Sequence, residues 1–346
     1  MSKRIIFCAD GTWDKPRNHT NVRKLFEAVN SPPDIANQVA FYDDGVGSDG
    51  TPVQKLAGGA IGDGLFQKIK DGYRKIVQVY ERGDDIFIFG FSRGAYTARS
   101  LAGMIAICGL PTSPVDDDVK LTNTAFNAYR NRDQRDALLA GLNQYRLFDA
   151  KIKMVGVWDT VGSLGIPALF GGVDPVLYGF LDTNLHPNVL NAYQALAIDE
   201  RRKQFPPTLW TAPSPPVPGQ SLEQVWFAGV HCDVGGGYPE TGLSDVAFSW
   251  MLGKAINLGL QVAPGIAGQY PSPLATKFAL DTIHESWNLL WWFPRRRAVP
   301  NGATLGNSVA IRCQNDGTYR PPNLTLEHNA PAASYRLVPV VILRQA

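Results

Sequence analysis

The stretch Asp84-Asp85-Ile86-Phe87-Ile88-Phe89-Gly90-Phe91-Ser92-Arg93-Gly94-Ala95-Tyr96-Thr97-Ala98-Arg99 decides how the rest of the chain is read. Ile86 to Phe89 is β-branched and aromatic without alternation, as a strand buried on both faces requires. Ala95 to Ile105 places small and apolar residues at helical spacing. Between them lies G-x-S-x-G, so Ser92 stands at a sharp strand-to-helix turn with glycine on either side. Side chains at Gly90 and Gly94 would collide with the strand and helix that close around the serine. A helix N-terminus beneath Ser92 favours negative charge, and it gives the Arg93 backbone N–H an oxyanion to donate to.

Outward from that turn the chain alternates strand and helix. Arg4 to Ala9 reads as a buried strand stopping at Asp10-Gly11-Thr12, Asn21 to Val29 as a helix, and Gln38 to Tyr42 as a strand ending near Asp43. Leu65 to Tyr80 follows as a helix before the Ser92 strand. This βαβαβ order predicts a mostly parallel sheet flanked by helices, and with the serine elbow it specifies an α/β-hydrolase-like fold. The sheet resumes at Lys153 to Trp158, which ends in Asp159, and again at Gln224 to Val230, which runs into His231. A helix is expected over Val189 to Ile198, and another over Ser244 to Leu258. Phe205 to Gly219 holds six prolines and reads as a loop. The expected organisation is one domain over 1–346, with insertions or a lid at 111–150 and 162–220 and a C-terminal extension, 264–346, packed on the core.

Composition narrows the function classes. Across 346 residues, 45% are hydrophobic and 18% charged, and the net charge is +2. That supports a large core, and with no Lys/Arg stripe interleaved with aromatics it argues against nucleic acid as partner. Cys8, Cys108, Cys232 and Cys313 lie far apart without metal spacing, which suits free thiols in a reducing compartment. The N-terminus reaches Asp10 before an apolar run of useful length, so no signal peptide is expected. The glycine run from Gly58 to Gly64 lacks the Gly-Lys-Ser/Thr ending of a phosphate loop and reads as a connection or lid.

A serine nucleophile needs a histidine base and an acid to orient it, and in this fold they follow in the order Ser, Asp or Glu, His. Of the five histidines, His19 precedes the serine, while His186 and His328 lie in polar loops. His231 is favoured because it ends a buried strand and opens the glycine-rich turn Val234-Gly235-Gly236-Gly237; His284 is the rival. Asp159 is the expected acid; Asp233, two residues from His231, is too close along the chain to be the obvious orienter and could instead cap the glycine turn or bind a cation. Gly11 or Thr12 would supply the second oxyanion N–H beside Arg93. Asp10, Asp43 and Asp159 all end strands, so a divalent metal held by carboxylates is an alternative. A non-catalytic interaction module on the same fold is another. No organic cofactor is implied.

Asp10-Gly11-Thr12, Gly90-Phe91-Ser92-Arg93-Gly94-Ala95, Val157-Trp158-Asp159-Thr160-Val161-Gly162, Ala195 to Arg202 and Trp226 to Tyr238 together resemble a widespread bacterial and fungal α/β-hydrolase domain family. It includes phospholipase effectors of type VI secretion systems. The resemblance runs from about Arg4 to Leu324. It implies a serine esterase acting on lipid esters, with Ser92 as nucleophile, and admits an immunity or secretion partner and export by a non-classical route. Trp287, Leu289, Leu290, Trp291, Trp292 and Phe293 precede Arg295-Arg296-Arg297, which reads either as a segment packed on the core with solvated arginines or as one suited to a membrane surface, with aromatics at headgroup depth and cations against phosphate.

Overall fold

The computed structural model describes residues 2–11, 19–30, 37–45, 60–111, 115–145, 147–161, 183–270, 276–287 and 294–340. Its core is an eight-stranded sheet in the order β12-β9-β8-β7-β6-β3-β1-β2. The strands are β1 (Arg4–Ala9), β2 (Gln38–Asp43), β3 (Asp85–Phe91), β6 (Ile152–Trp158), β7 (Asn191–Ala197), β8 (Ser221–Phe227), β9 (Thr304–Gly306) and β12 (Arg336–Val338). Every pairing within it is parallel. The short strands β4 (Leu110–Pro111) and β5 (Leu147–Phe148) pair antiparallel beside it, as do β10 (Leu326–Glu327) and β11 (Ala330–Pro331).

Both faces of the sheet are covered, which is why its central strands read as continuous apolar runs. Ile5, Phe7, Ile86, Ile88, Val155 and Val157 point to one face, where helices α2 (Ala60–Val79) and α3 (Ser92–Cys108) pack. Ile6, Cys8, Phe87, Phe89, Met154 and Trp158 point to the other, against helix α1 (Asn21–Asn30) and the helix Gly242–Asn257. The two sets alternate along each strand as the pleat demands. A third cluster, around Leu196, Trp226, Leu305 and Val309, lies where β9 and the helix Asn307–Asn315 join the sheet.

One expected helix is a strand. Residues Asn191–Ala197 form β7, buried almost throughout and hydrogen-bonded to β6 on one side and β8 on the other. The run Ala-Tyr-Gln-Ala-Leu-Ala has helix-forming composition, but a slot with two unsatisfied strand edges overrides local propensity. Part of 162–220 is therefore central sheet and not an excursion from it. The helices Asp118–Arg130 and Arg135–Ala140 lie outside the sheet, and β5 pairs with β4. Residues 264–346 contribute β9 and β12 to the sheet. Of the glycine run, Ala60 to Gly64 forms the first turn of α2. All four cysteines are free thiols, three of them buried.

The chain builds β1, β2 and β3 around β1 and then moves steadily the other way through β6, β7, β8 and β9. Strand order thus reverses between β1 and β3, the point beside which open α/β sheets place their ligands, beyond the carboxyl ends of the strands. Ser92 follows β3, Asp159 follows β6, Glu200 lies three residues past β7, and His231 lies four past β8.

Candidate active site

Ser92 is held in the left-handed backbone region, φ +58°, directly after extended Phe91. For a residue with a β-carbon this conformation costs about 1–3 kcal/mol and persists only where the surroundings over-determine it. Here they do. A β-carbon on Gly90 would lie 2.4 Å from the Gly94 carbonyl oxygen, and one on Gly94 would lie 2.2 Å from that of Ala9. The two glycines let β3, α3 and the end of β1 meet at the serine. Ser92 is only 6% exposed.

The side chain that meets it is His231, whose Nε2 is 2.8 Å from Ser92 Oγ. On the far side of the ring, Nδ1 is 2.6 Å from Asp159 Oδ2. The ring lies between Phe91, at 4.6 Å, and Phe205, at 5.1 Å and nearly edge-on. Asp159, also at positive φ, turns off the end of β6, and its Oδ1 accepts from the Ala197 N–H at 2.9 Å.

Ionisation follows from this packing. Burial pushes the His231 imidazole below its ordinary range, against the pull of Asp159. Burial alone would raise Asp159, but Arg297 and the His231 hydrogen bond outweigh it and hold the carboxyl well below the usual range. A carboxylate can only accept, so His231 Nδ1 must be the protonated nitrogen. Nε2 then carries the lone pair that accepts from the serine hydroxyl. A neutral, oriented imidazole on a serine hydroxyl can remove its proton.

Two further groups at this site escape sequence reasoning. Arg297 forks onto the acid, Nη1 to Asp159 Oδ1 at 2.6 Å and Nη2 to Oδ2 at 2.9 Å. It also donates to the carbonyls of Ala197 and Phe205. The expectation that Arg295 to Arg297 all face phosphate is therefore corrected: Arg295 and Arg296 are exposed, but Arg297 is buried on Asp159. Nothing in the sequence distinguishes the third arginine of that run. The second group is Glu200. It accepts from Arg202 through both oxygens, at 2.9 Å each, and from the His231 backbone N–H at 3.2 Å. Burial would raise it, yet Arg202 draws it down to about 2. Arg202 in turn lies 3.6 Å over the Phe205 ring. The run Asp199 to Arg202 at the end of the expected helix was visible as a motif, and its position became meaningful only once β7 was a strand.

The other candidates are placed elsewhere. His284 does not meet the serine: Nδ1 is 2.6 Å from Asp233 Oδ1, Nε2 is 3.1 Å from Glu240, and the ring stacks on Tyr238. Asp233 caps the turn, accepting from the Val230 N–H at 2.9 Å, and holds His284 rather than His231. Asp10 is buried and accepts from Thr20 Oγ1, Tyr42 OH and the Gly11 N–H. That last bond, 2.8 Å, corrects the expectation for Gly11: its N–H is directed at Asp10 and not at an oxyanion. Thr12 lies outside the described residues, as do Leu289, Leu290, Trp291, Trp292 and Phe293. Arg93 is the second residue of α3, which puts its backbone N–H at the helix N-terminus. Asp43 pairs with Lys68. Among the described residues no three His, Cys, Asp or Glu side chains gather as metal ligands, because each strand-end carboxylate is drawn to its own protein donors.

A parallel sheet with a strained serine elbow, a histidine after a later strand and an acid between them defines an α/β-hydrolase-like protein. A family model described as the type VI secretion system phospholipase effector Tle1-like catalytic domain matches residues 3–254, and the chain belongs to that family. Among curated proteins, the uncharacterized protein YEL023C of Saccharomyces cerevisiae is 30% identical over 244 residues, covering 62% of this chain and 34% of its own length. The chain thus spans about a third of that relative. Among solved structures, an uncharacterized protein from Pseudomonas aeruginosa superposes with a TM-score of 0.49 at 16% identity, over 78% of this chain and 48% of its own. The Tle1 effector bound to the VgrG spike gives 0.36 at 18% identity, over 69% and 52%.

Proposed function

We propose that this chain is a serine hydrolase that cleaves carboxylic ester bonds in phospholipid or another lipid, through an acyl-Ser92 intermediate. The observation that carries the reading is the continuous chain Ser92 Oγ, His231 Nε2, His231 Nδ1, Asp159 Oδ2, with links of 2.8 and 2.6 Å on a serine at φ +58°. Ser92 attacks the ester carbonyl as His231 takes its proton. Asp159 keeps the imidazole in the required tautomer and stabilises the imidazolium. The oxyanion forms over the N-terminus of α3, where the Arg93 N–H can donate, and Thr12 remains the candidate for a second donor. His231 then protonates the leaving alcohol, and water releases the acyl group by the same route in reverse.

Family membership supports a lipid ester over a soluble one, and the acyl linkage is the bond this chemistry would cut, giving fatty acid and lysophospholipid. Delivery by a type VI apparatus, with a spike protein and an immunity protein as partners, is proposed on the family description alone. Among the described residues no helix is long and apolar enough to cross a membrane. We read 1–346 as one hydrolase domain. The test is hydrolysis of short p-nitrophenyl esters and of phosphatidylethanolamine vesicles by the wild type and by Ser92→Ala. Loss of both activities in a folded Ser92→Ala protein is expected; retention of either removes the serine mechanism for that substrate.

A further inference from the structure

The region after residue 254, outside the family match, sends one charged side chain into the heart of the site. We propose that Arg297 is a positioning residue of the triad, locking the plane of the Asp159 carboxylate and setting the pH at which His231 becomes a competent base. The inference rests on the serine-hydrolase reading and adds to it a residue acting through Asp159.

The geometry is specific. Each Asp159 oxygen accepts two donors: Oδ1 takes Ala197 N and Arg297 Nη1, and Oδ2 takes His231 Nδ1 and Arg297 Nη2. The planar fork therefore fixes the rotation of the carboxylate, and with it the oxygen that faces the imidazole. Arg297 is itself held by two backbone carbonyls, Ala197 on β7 and Phe205 in the loop beyond it. It is 6% exposed, and its Nε–H is buried with no hydrogen-bond partner among the described residues. A buried ion pair is weak evidence of stabilisation, since apolar packing of the same volume often does as well. A fully buried cation, carrying an orphan donor and set edge to edge on the acid, is better explained by what it does to that acid.

What it does is electrostatic. The charged groups around His231 are Asp159 from β6, Arg297, and Glu200 with Arg202 from the stretch after β7; Ser92 and the rings of Phe91 and Phe205 are neutral. Glu200 and Arg202 are paired with each other and act on His231 in opposite senses, the arginine lowering its pKa and the glutamate raising it. Arg297 opposes Asp159, so an imidazolium gains less from the carboxylate than it would without the arginine. Protonation of His231 is thereby postponed to lower pH, and the base stays neutral over a wider range.

The test is the pH profile of kcat/KM on p-nitrophenyl butyrate for the wild type, Arg297→Gln and Arg297→Lys. With the cation removed, Arg297→Gln should move the acid limb upward by roughly one pH unit or more. It should also lower kcat by on the order of 10–100-fold, with KM little changed, because the loss falls on orientation. Arg297→Lys keeps a charge without the fork, so its acid limb should stay near the wild-type position while kcat is only partly restored. A folded Arg297→Gln protein with wild-type limb and kcat overturns the proposal, as does a drop in kcat with no movement of the limb in that variant. Should Arg297→Gln not fold, Arg297→Lys decides: reduced kcat with an unmoved limb supports the role, and unchanged kcat overturns it. Ser92→Ala in the same assay separates the two levels. An active Ser92→Ala protein refutes the serine reading, whereas an inactive one beside a wild-type-like Arg297→Gln refutes the arginine alone.

Discussion

Replacing Asp159 by asparagine removes one charge and no volume, and the four donors around it make the consequence calculable. Asparagine offers one carbonyl oxygen and one amide NH2. If the NH2 takes the place of Oδ2, it faces His231 Nδ1–H and Arg297 Nη2; if it takes the place of Oδ1, it faces Ala197 N–H and Arg297 Nη1. Either way an N–H meets N–H groups. In the first orientation His231 can restore a bond only by moving its proton to Nε2, which abolishes the acceptor for Ser92. That tautomeric error costs on the order of 10⁴-fold in kcat. Arg297, meanwhile, becomes a buried cation without a counter-ion, and stranding one member of such a pair costs about 3–5 kcal/mol. Asp159→Asn should therefore lose both activity, read as kcat on a p-nitrophenyl ester, and stability, read from urea unfolding. A variant with kcat within about tenfold of the wild type and an unmoved unfolding midpoint would refute the assignment of Asp159 to both roles.

Other outcomes follow from the same geometry. His231→Ala should cost on the order of 10³-fold or more in kcat, whereas His284→Ala, which disturbs the pair with Asp233, should leave kcat within a few-fold; the reverse pattern would transfer the role of base. Gly94→Ala places a β-carbon 2.2 Å from the Ala9 carbonyl, so it should destabilise by more than the roughly 1–3 kcal/mol of ordinary overpacking, seen as a lowered melting temperature with loss of activity. Because burial lowers the His231 pKa, the acid limb of kcat/KM should have its midpoint below about 6.5, the unperturbed imidazole value. The sign for stability is the same: the unfolded chain takes up the His231 proton first, so stability should fall as pH drops from about 6.5 toward the folded value. An acid limb above that value would contradict a neutral buried base.

The parts of the site legible in the sequence were those specified by local sterics. Gly90 and Gly94 flank Ser92 because only glycine fits between β3, α3 and the end of β1, and that requirement is written in five consecutive residues. His231 was recoverable because chain order and a strand end restrict the choice among few histidines. Long-range electrostatics left no comparable trace. Arg297 looks like its neighbours Arg295 and Arg296, and what separates them is contact with a carboxylate 138 residues away. Glu200 was obscured by an error of secondary structure: a helix over Val189 to Ile198 gives it no fixed relation to the sheet edge, while β7 puts it against the His231 N–H.

That position of β7 explains why the site needs more than three side chains. Ser92 follows β3 and His231 follows β8, with β6 and β7 between them. Three inter-strand spacings of about 4.8 Å put those strand ends roughly 14 Å apart, too far for an imidazole to bridge from its own strand. The chain after β8 must turn back across the sheet edge, and β7 supplies the ties for that return. Gly229, at φ +109°, donates to Asp199 Oδ2 at 2.7 Å and accepts from the Asp199 N–H at 3.0 Å. Two residues further on, Glu200 receives the His231 N–H. Asp199, its pKa pushed up to about 6 by burial, is additionally held by Tyr319, from the same C-terminal region that sends Arg297 to the acid. The His231 backbone is thus anchored from the stretch after β7, and its ring meets Asp159, on which Arg297 forks. Ser92, Asp159 and His231, carried by β3, β6 and β8 of a parallel sheet, stay within hydrogen-bond distance because these second contacts absorb the span between strands.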